Sequence, residues 1–239
     1  MFPPLSSDPP STSSPHNGTP HLSAEWAGLE RCLFERLRGI LQHAGYLEIG
    51  VPSLISRATV ERQGAVAWAD VLRVDPDTAL AGSAEQGILE RYADQVAKPV
   101  RLFALNQCFR GEPSYQGFKR LREFRKLELY GFALTDEEAR AQYEEARALV
   151  GGFIDSLRVR GWRRVDATER DPGYHKTKWD LEVETAAYGW METHSAAYYG
   201  TEHADRFGIT GARYSWCSTG LASPRILIPL LEMQGTVFP

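Results

Sequence analysis

Cys108-Phe109-Arg110-Gly111-Glu112-Pro113-Ser114, continued by Arg120-Leu121-Arg122-Glu123-Phe124-Arg125-Lys126-Leu127-Glu128, is the stretch that decides how this chain folds. Val100 to Leu105, just before it, is a short apolar run leading into Arg110 and reads as a buried strand. Arg122 to Phe132 reads as a second strand. Successive strand side chains point to opposite sides, so Phe124, Lys126, Glu128 and Tyr130 share one face while Leu127 and Leu129 share the other. A strand that is polar and aromatic on one face and apolar on the other suits the floor of a site built on a sheet. Pro113, Ser114 and Gly117 mark the segment from Glu112 to Arg120 as a loop.

Elements on either side agree with a sheet. From Ala24 to Ala44, the residues Trp26, Leu29, Leu33, Leu37 and Leu41 recur at helical spacing, and Gly45 offers a stop. Tyr46 to Val51 is then extended, entering Pro52. Thr135-Asp136-Glu137-Glu138 has the spacing of a capping box and opens a helix to about Leu157, with Ala139, Tyr143, Ala146 and Val150 on one side. Trp162 to Ala167 reads as a strand, and Trp179–Glu184 with Tyr188–His194 reads as a hairpin around Ala186 and Ala187. Leu221 to Glu232 is expected to close the fold as a helix kinked by Pro229, whose ring would crowd the Arg225 carbonyl and re-aim that arginine. Hairpin-like pairs favour an α+β fold, an antiparallel β-sheet flanked by helices, over a doubly wound parallel sheet.

With 239 residues, 43% of them hydrophobic, the chain has enough apolar material for one full core. A net charge of -4 argues against a large, generally basic nucleic-acid surface. Cys32, Cys108 and Cys217 are sparse, odd in number and lack CxxC spacing, as expected of a reduced, cytoplasmic protein. No apolar run has the length of a membrane span, so no membrane partner is expected. Residues 1–23, rich in Pro, Ser and Thr, read as a disordered tail before one folded domain at residues 24–239.

A second informative segment is Ser218-Thr219-Gly220-Leu221-Ala222-Ser223-Pro224-Arg225, followed by an apolar stretch. Taken in order, the two segments resemble motifs 2 and 3 of the class II aminoacyl-tRNA synthetases, and helix–glycine–strand–proline before them is similar to motif 1. The Arg-Gly-Glu-Pro-Ser and Arg-Leu-Arg-Glu-Phe strings resemble the threonyl, glycyl and prolyl group. The Gly-Leu-Ala…Arg stretch resembles the seryl enzymes, and short ligases that load amino acids onto carrier proteins share features of both. The resemblance implies ATP and Mg2+ as reactants, an amino acid substrate activated as its adenylate, and a homodimer built through motif 1. It also implies roles for individual residues. Arg110 would contact the α-phosphate and the amino acid carboxylate, and Arg225 the γ-phosphate. Phe124 would stack on adenine, with Glu112 near its amino group, and Arg122 and Gly220 would complete the ATP site. Arginine suits such work because its planar fork grips phosphate oxygens in a bidentate way.

Asp180, Glu182 and Glu184 share a strand face, and Glu192-Thr193-His194-Ser195 follows. In the seryl enzymes Glu-x-x-Ser ligates the magnesium on ATP, and hard oxygen ligands fit that ion. An ideal strand would put Glu192 and Ser195 on opposite faces, so the assignment requires a bulge. Ser83 and Glu85 fall where the family has its Thr-x-Glu loop, which receives the substrate ammonium, and Glu128 faces the same pocket. Some relatives hold zinc there. The corresponding residues here are Glu85, Glu112 or Gln116, and Cys217, but the first position lacks the family's cysteine.

Neither an N-terminal coiled coil nor a C-terminal anticodon domain is evident, so tRNA binding without another subunit is not expected. A carrier protein or a small-molecule amine is the expected acceptor in a biosynthetic pathway. Two alternatives stand beside this: a non-catalytic synthetase paralogue that regulates or scaffolds a partner, and a tRNA-acylating core served by a separate tRNA-binding subunit.

Overall fold

The computed structural model describes residues 18–111, 116–170, 175–236 and 238. Helix α1 spans Ala24–His43, strand β1 Leu47–Glu48, β2 Leu54–Ser56, α2 Arg57–Gln63, β3 Thr78–Leu80, α3 Ala84–Tyr92 and β4 Val96–Ala97. The long strands β5, Val100–Phe109, and β6, Glu123–Ala133, come next, then α4, Asp136–Leu157, and β7, Trp162–Asp166. The hairpin β8, Thr177–Thr185, and β9, Gly189–Gly200, leads to α5, Glu202–Phe207, β10, Thr210–Gly211, β11, Tyr214–Ser223, and α6, Leu227–Glu232.

Seven strands make one sheet in the order β1-β5-β6-β11-β9-β8-β7. Every neighbouring pair is antiparallel except β1 with β5 at one edge. The α+β reading therefore holds, and the alternation read along β6 sorts its two faces. Leu127 and Leu129 enter one core cluster with Trp26, Leu33, Leu37 and Leu41 of α1, Tyr143 and Val150 of α4, and Leu227 and Leu231 of α6. Fully burying each large apolar side chain contributes roughly 1.5–3 kcal/mol, so this helical layer is what makes the sheet a rigid floor. On the opposite face Tyr130 and Phe132 join α3 and α5 in a second cluster.

Helix caps form largely as their residues dictate. Ser23 accepts a hydrogen bond from the Trp26 amide at the start of α1, and Thr135 accepts one from the Glu138 amide at the start of α4. Two expectations need correction. Of the segment expected to be a disordered tail, residues 1–17 lie outside the described residues, while residues 18–23 are held in place. The Gly18 carbonyl accepts from the amides of Arg122 and Glu123, and Leu22 packs against the core.

Leu221 to Ser223 are strand, not helix. They pair with Leu127, Lys126 and Arg125 of β6, and tertiary pairing overrides an ambiguous local pattern. Helix α6 begins only at Leu227, so Pro229 sits in its first turn, where a missing amide hydrogen costs nothing, and no kink reaches Arg225.

Candidate active site

The sheet face opposite α1 and α4 carries a cavity of about 850 Å³, large enough for a nucleotide beside a small second molecule. Phe124, Lys126 and Glu128 of β6 form its floor, as the alternation required. Arg110, just past the end of β5, Ser83 and Glu85 at the start of α3, Glu192 and Ser195 of β9, and Arg225 beyond β11 all open onto it. Elements far apart in sequence thus converge because the strands carrying them are neighbours in the sheet.

At one end the Arg110 guanidinium lies over the Phe124 ring, 5.1 Å from its centroid. This cation–π contact holds a charged fork above an aromatic platform. Arg225 is fixed more firmly. Its Nε and Nη2 donate to the Lys119 carbonyl at 3.0 and 2.8 Å, and its Nη1 donates to the Glu192 carbonyl at 2.9 Å. Those bonds tie the arginine to the loop after Arg110 and to the acidic strand β9.

The bulge that the Glu192–Ser195 spacing requires is present. Leu181 pairs with His194 and Glu182 pairs with Glu192, which leaves Thr193 as the extra residue on β9. As a result Glu192 and Ser195 both line the cavity. A partly exposed carboxylate and a hydroxyl facing the same space are hard oxygen donors of the kind magnesium takes, so these residues fit that ion. The other acids of the hairpin do not form one solvated edge. Asp180 is buried and meets Arg170 at 2.5 Å, Glu182 pairs with Arg163, and Glu184 is exposed.

At the other end stand two buried carboxylates in unlike surroundings. Glu128 accepts from the Ala84 amide at 2.5 Å, which caps α3, and its other oxygen meets the Lys126 ammonium at 2.5 Å. Glu85 accepts from the Gln63 amide and the Tyr199 hydroxyl, each at 3.2 Å. Glu85 is thus a buried residue of the pocket rather than an exposed carboxylate at a helix start.

Cys217 lies beside both carboxylates, the three donor atoms falling within 4.8 Å of one another. Burial, then the field of Glu85 and Glu128, pushes its thiol well above the ordinary value. The cluster unites Glu85 and Cys217 of the expected zinc set with Glu128. Glu128 is already engaged by a lysine in contact and by a helix start, which leaves Glu85 and Cys217 as donors, fewer than the three or four protein ligands that zinc takes. These residues as folded do not fit zinc, and no step below uses it.

Two assignments come apart in the structure, and a third falls where nothing is described. Glu112 lies outside the described residues. Arg122 does not line the cavity; its amide and carbonyl hold Gly18 and Arg110. Gly220 turns away from the cavity, and a Cβ there would come within 2.7 Å of a Leu129 methyl carbon and 3.1 Å of one on Leu37. It is needed for close packing onto α1, not for backbone approach to a ligand. Sequence reasoning missed Lys126 as a charge partner, although its place on the face of Phe124 and Glu128 could have shown it. It also missed Tyr199 and His203, whose positions behind Glu85 only the β9–α5 corner reveals.

An antiparallel sheet backed by helices, with a cavity of charged and aromatic residues on its open face, is the architecture of class II aminoacyl-tRNA synthetase catalytic domains. The sequence matches the family described as "tRNA synthetase class II core domain (G, H, P, S and T)" over residues 72–220, and the chain belongs to that family. It is 29% identical over 237 residues to a serine–tRNA ligase of Deinococcus radiodurans, covering 88% of this chain and 55% of that protein. A serine–tRNA ligase of Synechococcus elongatus is likewise 29% identical, with 86% and 53% covered.

Among solved structures, the seryl-tRNA synthetase of Pyrococcus horikoshii complexed with ATP superposes with a TM-score of 0.80 at 22% identity, covering 89% of this chain and 52% of that one. The prolyl-tRNA synthetase of Giardia lamblia complexed with prolyl-adenylate gives 0.81 at 15%, with 92% and 49% covered. The chain spans about half the length of the curated relatives it matches. No helix among the described residues is long and apolar enough to cross a membrane.

Proposed function

We propose that this site joins ATP to the carboxylate of a small amino acid, forming an aminoacyl-adenylate and releasing pyrophosphate. The observation that carries the reading is the convergence of Arg110, Phe124 and Arg225 on one cavity that also holds Glu192, Ser195 and Glu85. ATP-bound and adenylate-bound structures among its fold neighbours support ATP as the nucleotide.

In this reading adenine stacks on Phe124, and the phosphates draw Arg110 off that ring. Arg225, preset by Lys119 and Glu192, meets the γ-phosphate and keeps the triphosphate bent. A carboxylate oxygen of the amino acid attacks the α-phosphorus, the bond to the bridging oxygen breaks, and pyrophosphate departs. Arg110 offsets the charge that spreads over the α-phosphate as this happens. Glu192 and Ser195 would hold magnesium, which when bound neutralises phosphate oxygens. Glu85 takes the substrate ammonium. Glu128, already neutralised by Lys126, is left as a hydrogen-bond acceptor toward the substrate.

Serine is the first substrate to test, because the relatives above are serine–tRNA ligases. Edge strand β1, with Leu47 59% exposed, is the proposed homodimer seam. The test is amino-acid-dependent exchange of labelled pyrophosphate into ATP, run across the standard amino acids. Exchange with one or a few small amino acids is expected, and silence with all of them would overturn the activity. Adding tRNA or a carrier protein to the exchanging reaction then identifies the acceptor by which one becomes acylated.

A further inference from the structure

His203 has no exposed surface and stands one layer behind Glu85, outside the cavity itself. Its Nδ1 lies 2.8 Å from the Tyr130 hydroxyl, and its Nε2 lies 3.5 Å from a Glu85 carboxylate oxygen. The Tyr199 ring packs over the imidazole at 3.8 Å, and the same tyrosine's hydroxyl donates to the other Glu85 oxygen. The Tyr130 ring stacks parallel at 6.2 Å on one side, and Phe207 meets it edge-on at 6.5 Å. The imidazole is therefore clamped by rings and aimed by two polar atoms.

We infer that His203 is a positioning residue for amino acid binding: with Tyr130 it forms a buried relay that fixes the Glu85 carboxylate where the substrate ammonium must sit. The inference rests on the amino acid activation proposed above.

The tautomer follows from electrostatics. Were Nδ1 to carry the hydrogen, the Nε2 lone pair would face the Glu85 anion. With the Tyr130 hydroxyl donating to Nδ1, the hydrogen sits on Nε2, the ring nitrogen 3.5 Å from a Glu85 oxygen. Burial keeps both groups in these forms: it lowers His203 to about 3, leaving the ring neutral, and raises the Tyr130 phenol well above its usual range. Neutral donors orient Glu85 without cancelling its charge, whereas Lys126 cancels that of Glu128. The negative charge that selects an ammonium is thus concentrated at Glu85.

The test compares His203→Phe, which keeps a ring but loses both nitrogens, with His203→Gln, whose amide can still donate toward Glu85. Pyrophosphate exchange is measured against the concentration of the amino acid that supports it, and separately against ATP. His203→Phe should raise KM for the amino acid about tenfold, because the polar ring atom facing Glu85 is lost and its carboxylate is less firmly oriented. KM for ATP should stay unchanged, and His203→Gln should restore most of the loss.

A folded His203→Phe with unchanged amino acid KM, or with KM for ATP raised equally, overturns the inference alone. Absence of exchange by the unmodified chain with every amino acid overturns the proposed activity and this inference together. Should His203→Phe fail to fold, nitrogen NMR of the unmodified chain decides. A hydrogen on Nε2 supports the relay, and a hydrogen on Nδ1 overturns it.

Discussion

Lys126 and Glu128, two residues apart on one face of β6, meet at 2.5 Å on the buried floor of the cavity. Burial favours the neutral amine, but the negative field of Glu128 opposes it and Lys126 is left above its ordinary value. Removing one partner strands the other charge, at a cost of about 3–5 kcal/mol. Glu128→Gln should therefore lower stability by roughly that amount in urea titration. Lys126→Met combined with Glu128→Gln should recover part of it. A loss under about 1 kcal/mol for the single change would show that the pair is not closed in solution.

The close approach of β6 and β11 makes a second prediction. A Cβ at Gly131 would lie 2.2 to 2.7 Å from three atoms of the Trp216 indole, a rigid ring whose Nε1 donates to Gln142. At Gly220 the nearest atoms are leucine methyl carbons, which can give. Both Gly131→Ala and Gly220→Ala should destabilise, by about 1–3 kcal/mol or more, with Gly131→Ala the worse. Chemical denaturation of the two variants checks the order.

Acid should unfold the protein through two histidines. Burial lowers both His194 and His203 to about 3 when folded, from an ordinary value near 6.5. The unfolded chain therefore binds more protons between those values, so their contribution is present above about pH 6.5 and is lost as pH falls toward 3. By pH 4 the loss is on the order of 3 kcal/mol per histidine. Unfolding free energy measured from pH 7 to pH 4 should fall accordingly, and His194→Gln should flatten the slope. A flat profile for the unmodified chain would contradict the burial of both rings.

Arg225 and Glu192 should separate nucleotide from amino acid. Arg225→Ala removes the fork held by Lys119 and Glu192, so KM for ATP in pyrophosphate exchange should rise at least tenfold with little change for the amino acid. Glu192→Gln should raise the magnesium concentration needed for half-maximal exchange. Unchanged ATP affinity in Arg225→Ala would remove this residue from the triphosphate site.

The strands at the centre of the sheet were legible because their alternation is strong. The period-2 pattern from Phe124 to Tyr130 separates the cavity face from the core face without any tertiary information. The Glu192–Ser195 spacing was legible in a different way, since a shared role demanded a bulge and Thr193 supplies it.

Leu221 to Ser223 were misread as helix because a short apolar run carries no decisive period; only pairing with β6 makes them strand. The same blindness hid the purpose of Gly220, which answers to Leu37 across more than a hundred residues of sequence. Tyr130 was legible as a residue of the cavity-side face, but Tyr199 and His203 gave no signal. Their cooperation depends on the turn from β9 into α5, which no local pattern encodes.

The most direct measurement of the central claim is to trap the intermediate. The purified chain is incubated with ATP, magnesium and the exchanging amino acid in the presence of hydroxylamine, which converts an aminoacyl-adenylate to the hydroxamate and AMP. The account predicts hydroxamate and AMP in equal amounts, both abolished in Arg110→Ala. ATP consumed to ADP, or AMP formed without hydroxamate, would contradict it.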